Sequence, residues 1–150
     1  MQQLAADLEQ LIRQAKPALD SVDPSKLSGK PLPNKWSKKE IIGHMIDSAQ
    51  SNIRRFVVAQ YEEIPHIVYN QDKWVALSNY QQFETGELLQ LWYLLNVQIS
   101  KIFVNTDPSM ATRLCQTKEA HSIEWLAEDY IKHLKHHLHQ VLNLEPVPYP

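Results

Sequence analysis

Apolar residues recur along most of this chain at three- and four-residue intervals, the spacing that lines one face of an α-helix. Leu4, Leu8, Leu11, Ile12, Ala15 and Leu19 form such a stripe and predict a first helix from about Gln3 to Leu19. A loop punctuated by Pro24, Pro31 and Pro33 follows. At Trp36-Ser37-Lys38-Lys39-Glu40-Ile41 a second helix begins: Ser37 can cap, Glu40 can reach back to it, and Trp36 can pack on Ile41. This helix should run to about Tyr61, burying Ile41, Ile42, Met45, Ala49, Ile53 and Phe56. A third starts near Thr85 and ends before Asp107-Pro108, with Leu88, Leu91, Trp92, Leu95, Ile99, Ile102 and Phe103 inward. The fourth runs from a cap at Ser122 to about Asn143 on an arc of Ile123, Leu126, Ala127, Tyr130, Leu134, Leu138 and Val141.

Four long helices and only three glycines make this an all-α chain, and a four-helix bundle satisfies four apolar stripes best. The expected domain is 1–143, with a proline-rich tail at 144–150 that cannot continue the helix. The tail should lie extended along the surface or be disordered. One connection departs from a simple up-and-down bundle. The Glu62–Glu84 segment is far longer than an ordinary helix–helix loop. It can cross the length of the bundle, so that helices two and three run parallel in an up-down-down-up arrangement. It also carries His66, Tyr69, Asn70, Gln71, Asp72, Trp74 and Tyr80. Such side chains suit the wall of a site, and equally a structural strap anchored by a buried Trp74.

Composition narrows the partners. Fifteen basic residues against 17 acidic ones give a net charge of −2, and no clustered Lys/Arg stripe points to nucleic acid or an anionic membrane. No apolar run approaches transmembrane length. The start, MQQLAADLEQ, lacks a signal-peptide core, and the single Cys115 suits a reducing compartment, so a soluble cytoplasmic domain is expected. A cysteine hydrolase built on Cys115 and His121 has only their nearness in sequence behind it. A homodimer is plausible from the apolar helix faces, without a decisive patch.

The chemistry concentrates in Tyr130–Gln140, YIKHLKHHLHQ, which holds four of the seven histidines. His137 lies inside the apolar arc and His133 at its edge, while His136 and His139 project toward Lys132 and Lys135 on a face expected to be solvated. Residues four apart on a helix stack one above the other, so the inward pair can grip one metal ion. The alternative is two core histidines bonded to neighbours; an inward pair with a third candidate favours metal. His44 is that candidate. It sits at the margin of the second helix's apolar arc, followed by Ser48, Asn52 and Arg55, a polar seam that reads as a cleft wall or as an exposed flank. Asp47, one turn from His44, and Asp129, one turn before His133, are possible acceptors for the second ring N–H of a ligand.

These residues carry a resemblance. Trp36-Ser37-x-x-Glu40-x-x-x-His44-x-x-Asp47, the segment Tyr69-Asn70-Gln71-Asp72-Lys73-Trp74, and Asp129-Tyr130-x-x-His133-x-x-x-His137 resemble the DinB/YfiT-like superfamily of small metal-binding four-helix bundles. The resemblance spans roughly 1–143. It implies the up-down-down-up bundle and a divalent metal, often zinc or nickel, held by His44, His133 and His137. Relatives include thiol-using S-transferases and an isomerase, and many members have no established reaction.

Three neutral imidazoles leave the charge of a divalent ion uncompensated and a coordination position open, which favours an anionic ligand. A thiol there is deprotonated, and water on zinc falls to a pKa of about 7. The preferred expectation is transfer of a low-molecular-weight thiol to a small electrophile, and the runner-up is hydrolysis. A helical metal-binding or interaction module without catalysis is the third reading. Asp47 and Asp72 are the candidate general bases, with Ser48, Asn52, Arg55, Tyr69 and Trp74 as pocket candidates. Because the ligands must be neutral, affinity is expected to fall as pH drops through about 6.5.

Overall fold

The computed structural model describes residues 1–149. Four long helices carry the fold: α1 (Gln2–Asp20), α3 (Lys38–Val58), α5 (Thr85–Asn105) and α6 (Ile123–Leu142). Two short ones, α2 (Pro24–Ser28) and α4 (Gln71–Ser78), sit in the connections. The chain is an all-α four-helix bundle whose core holds Leu8, Ile12, Ile42, Met45, Phe56, Trp92, Phe103, Tyr130 and Leu134.

The caps show why the helices start where they do. Ser37 Oγ accepts from the Glu40 amide at 3.1 Å while Glu40 Oε2 accepts from the Ser37 amide at 2.7 Å, so two otherwise orphaned donors are satisfied together. Ser122 accepts from the Trp125 amide at 3.2 Å, opening α6. Asn143 closes it in the left-handed region at φ 55°. Helix α3 stops at Val58, three residues short of the expected Tyr61, because a turn through Gln60 and Tyr61 takes over.

Contacts between helices show how they run. Gln2 Nε2 donates to Val104 O and Ser100 Oγ to Glu9, so α1 begins where α5 ends. Lys39 Nζ donates to Gln81 O and Phe83 O just before α5, and Phe56 meets Phe103 toward the far ends. Like ends of α3 and α5 therefore lie together. Lys38 meets Asn143, the start of α3 against the end of α6.

The 62–84 connection is built, not slack. Ile67 donates to Gln116 O and the Gln116 amide to Pro65 O, tying it to a hairpin of β1 (Leu114–Gln116) and β2 (Ala120–Ser122) that the helical reading did not foresee. Asn70 then caps α4, and Tyr80 turns back into the core. Trp74 is not the buried anchor of a strap: it is 38% exposed, its ring edge-on to Tyr69 at 5.5 Å.

Tyr80 lies directly on Gly43, where an added Cβ would come 2.0 Å from the ring. That close approach lets the Tyr80 hydroxyl reach the buried Asp47 one turn on. Gly43→Ala must therefore displace the ring and strip Asp47 of its donor. It is expected to destabilise the fold by about 2 kcal/mol or more, read as a lower urea midpoint; an unchanged midpoint would mean that Tyr80 does not pack on α3.

Candidate metal centre

Helix periodicity brings the histidines together. His44 faces α6 from the second turn of α3, and His133 and His137 stand one turn apart on α6 facing back. His44 Nε2 lies 3.0 Å from His133 Nε2, and His137 Nε2 lies 3.1 Å from the same atom. One ligand nitrogen from each residue falls within 4.8 Å of the other two, the spacing that a single ion would need. His44 is 1% exposed and the other two are half-buried, so the cluster is largely removed from bulk water.

Proton bookkeeping shows why this cluster suits a cation. Gln140 Oε1 lies 2.8 Å from His137 Nδ1, and Gln140 Nε2 lies 2.8 Å from His136 Nε2. His136 Nδ1 in turn lies 2.6 Å from Val147 O, a carbonyl that can only accept. With hydrogens assigned from these bonds, His136 donates from Nδ1, accepts from Gln140 at Nε2, and Gln140 accepts from His137 Nδ1–H. His137 Nε2 is thus a bare lone pair aimed at the cluster. If His44 Nε2–H donates to His133 Nε2, two lone pairs of His133 and His137 oppose each other. If His133 Nε2–H donates instead, His44 must carry its proton on Nδ1, a buried atom with no partner. No neutral arrangement satisfies all three rings; a cation takes all three Nε2 lone pairs and leaves only the His44 Nδ1–H without a partner. The donor set fits a divalent ion.

The relay through His136 corrects the expectation of a solvated outer face. His136 and His139 are half-buried under the tail, bonded to Val147 O and Glu145 O at 2.6 Å each. Tyr149 continues the wrap, its hydroxyl donating to both Asp129 oxygens at 2.9 and 3.0 Å and its ring edge-on to His133. The tail is extended along α6 through residue 149, with Pro150 outside the described residues. Asp129 is consequently committed to Tyr149 and not to His133. Asp47 is buried against Tyr80, with one oxygen unpartnered and no bond to His44.

The histidines open onto a cavity of about 700 Å³. Ser48, Asn52, Arg55 and Tyr69 line it, so the seam on α3 is a cleft wall. Asp72 and Trp74 do not: Asp72 is exposed in the first turn of α4, and Trp74 stands behind Tyr69. Neither is placed to act there. The cavity gains walls that sequence reasoning did not assign: Trp36, whose ring centroid is 5.1 Å from His44, the stacked His121 and Trp125 at 3.7 Å, and Tyr149. The local pattern marks Trp36 as a staple at the start of α3 and not as a cavity wall, and the rest depend on tertiary contacts with no local pattern. Cys115 is buried away from the cavity, its thiol donating to Pro65 O at 3.3 Å.

Electrostatics follow from the burial. Desolvation, then the neighbouring His137, lowers the His44 pKa to about 3; desolvation, then the surrounding imidazoles, lowers that of His133 to about 2. His137 is lowered chiefly by desolvation. Protons therefore compete for His44 and His133 only well below the ordinary 6.5. Desolvation raises the Asp47 carboxyl to about 6, against the Tyr80 hydrogen bond. These shifts set the pH response of the metal-free fold. The unfolded chain takes up protons below 6.5 that folded His44 and His133 refuse, so stability falls as pH drops from 6.5. Asp47 acts oppositely, its folded form holding a proton from about 6 down to about 4, and offsets one of the two histidines. The melting temperature of metal-free protein should therefore decline between pH 6.5 and pH 5, and His133→Leu should flatten that decline. A rising profile, or one untouched by the substitution, would contradict this electrostatic reading.

Comparison with known proteins places the chain. No curated protein matches it. Among solved structures, YfiT from Bacillus subtilis, described as a probable metal-dependent hydrolase with an unusual four-helix bundle topology, matches with a TM-score of 0.73. The match covers 95% of this chain and 87% of that one at 19% identity, a likeness of fold. The model of the DinB superfamily matches residues 7–141, and the chain belongs to that superfamily.

Proposed function

We propose that this protein is a divalent-metal-dependent hydrolase of a small molecule. The observation that carries the reading is the convergence of His44, His133 and His137 Nε2 at the end of a cavity of about 700 Å³. YfiT, which shares the fold and is described as a probable metal-dependent hydrolase, supports it. Zinc or nickel bound by three neutral imidazoles would supply a water-derived nucleophile at neutral pH and polarise a substrate oxygen.

The chain's own residues account for the rest of the chemistry. His137 is held in one tautomer by Gln140, and through it by His136 and Val147 O, so its ligand atom needs no rearrangement to bind. Trp36, Tyr69 and Tyr149 line the cavity and would offer aromatic surface to the body of a substrate. Ser48, with Oγ 3.5 Å from His133 Nδ1, is the nearest hydroxyl able to orient that ring.

Transfer of a low-molecular-weight thiol to an electrophile is the second reading. The uncompensated charge of an ion on three neutral imidazoles would favour a thiolate ligand. Zinc- and nickel-loaded protein should release p-nitrophenolate from small p-nitrophenyl esters without any thiol. His133→Ala should lose at least about a hundredfold of that rate, the scale typical for loss of a key catalytic electrostatic element. Turnover that appears only when a thiol is added would replace hydrolysis with transfer. No turnover in either format would leave a metal-binding helical module.

A further inference from the structure

Arg55 carries a charge in the cavity that the metal chemistry above does not use. Its Nε–H donates to Ile67 O at 3.2 Å and its Nη1 to Asn52 Oδ1 at 3.3 Å, which fixes the guanidinium against the wall. Both acceptors are neutral, and its Nη2 donors have no protein acceptor among the described residues. No carboxylate pairs with it: the ion pairs in the described residues lie elsewhere. Asp129 also lines the cavity and acts on Arg55 through space, but it forms no ion pair with it and shares the Tyr149 hydroxyl proton between its two oxygens. Desolvation lowers the Arg55 pKa, yet a guanidinium remains charged in proteins. A largely desolvated cation without a contacting counter-ion is costly unless a bound group supplies one.

Within the cavity Asp129 supplies one negative charge at a distance, and no second carboxylate faces the histidines. Lys118 and Glu119 at its rim are exposed and cancel, and the three histidines are neutral. An ion on those histidines adds two more positive charges with no protein carboxylate among its ligands. The two positive centres stand on one seam of α3, His44 and Arg55, with Ser48 and Asn52 between them. Eleven residues at about 1.5 Å each separate their Cα atoms by about 16 Å, and the arm of Arg55 leans back toward the helix N-terminus and shortens the gap.

We infer that the cavity takes a small bifunctional ligand, with a metal-binding donor at one end and a carboxylate received by Arg55 at the other. The inference rests on the metal reading above and adds its substrate class. The planar, rigid fork of arginine suits a carboxylate, and its fixed bonds to Ile67 and Asn52 mean that little side-chain freedom is lost on binding. Trp36, Tyr69 and Tyr149 offer apolar and aromatic surface to the ligand's body between the two ends.

Cobalt-loaded protein provides the test, because thiolate coordination to cobalt gives a charge-transfer band. A series of ω-mercaptocarboxylates of increasing length is titrated against the neutral ω-mercaptoalcohols of matched length. At one intermediate length the acid should bind about tenfold or more tighter than its alcohol. Attraction by the ion alone would instead favour the shortest acids and decline steadily. Arg55→Gln should remove the intermediate-length preference while cobalt uptake and alcohol affinity stay at the wild-type level, and Arg55→Lys should restore part of it. Equal binding of acid and alcohol at every longer length, or a preference undiminished in Arg55→Gln, would overturn this inference alone. The length dependence is read on wild-type protein, so an unstable variant does not decide the matter. Failure of wild-type protein to take up cobalt would overturn the metal reading, and this inference with it.

Discussion

Two imidazole nitrogens pressed within 3.0 and 3.1 Å of a third have more lone pairs than protons to satisfy them. Around this constraint the bundle is organised. His44 is almost wholly buried and its Nδ1 has no partner, so moving the proton there to free Nε2 gains nothing unless an ion takes the freed lone pair. His137 is held to one tautomer, since Gln140 holds its Nδ1 proton. A fold that merely needed to fill this space would do better with apolar side chains, which carry no desolvation penalty. The polar cluster is therefore a feature maintained against stability, as functional sites commonly are.

The surrounding structure serves to keep the rings in place. The capping box at Ser37 fixes where α3 begins, and with it the turn on which His44 stands. Gly43 admits the Tyr80 ring, which anchors the end of the long connection beside the centre. The other end of that connection is pinned to the hairpin through Pro65, Ile67 and Gln116, and Arg55 is held by the Ile67 carbonyl. From the far side the tail closes over α6, with Val147 O bonded to His136 and Tyr149 set against His133. The segments outside the four long helices are thus the ones that shape the cavity, in keeping with loops carrying function on a rigid scaffold.

What the sequence made legible was whatever repeats at helical spacing. The stripes of α1, α3, α5 and α6, the Ser37 and Ser122 caps, the inward His133 and His137, and the seam from His44 to Arg55 all follow from a period of 3.6. The hairpin did not show, because three-residue strands have no period to detect, and Leu114, Cys115 and Gln116 carry no turn signature of their own. His136 looked solvated because its angle on the helix wheel is outward; only the returning tail, seven residues beyond the helix in an unpatterned proline-rich stretch, covers it. Asp72 and Trp74 looked like site residues because they sit beside Tyr69 in sequence, but the α4 helix turns them away from the cavity that Tyr69 enters. Local pattern reports which face a residue takes on its own element, and not what another element brings to that face.

The central claim is a single divalent ion bound by three named rings, and metal stoichiometry tests it most directly. Wild-type protein stripped with chelator, reloaded with zinc and dialysed should retain one equivalent by elemental analysis. His44→Ala, His133→Ala and His137→Ala should each fall well below that, whereas the exposed His66→Ala should match wild type. Full retention by His44→Ala, or loss in His66→Ala equal to that in His133→Ala, would show that the metal does not sit among these three histidines.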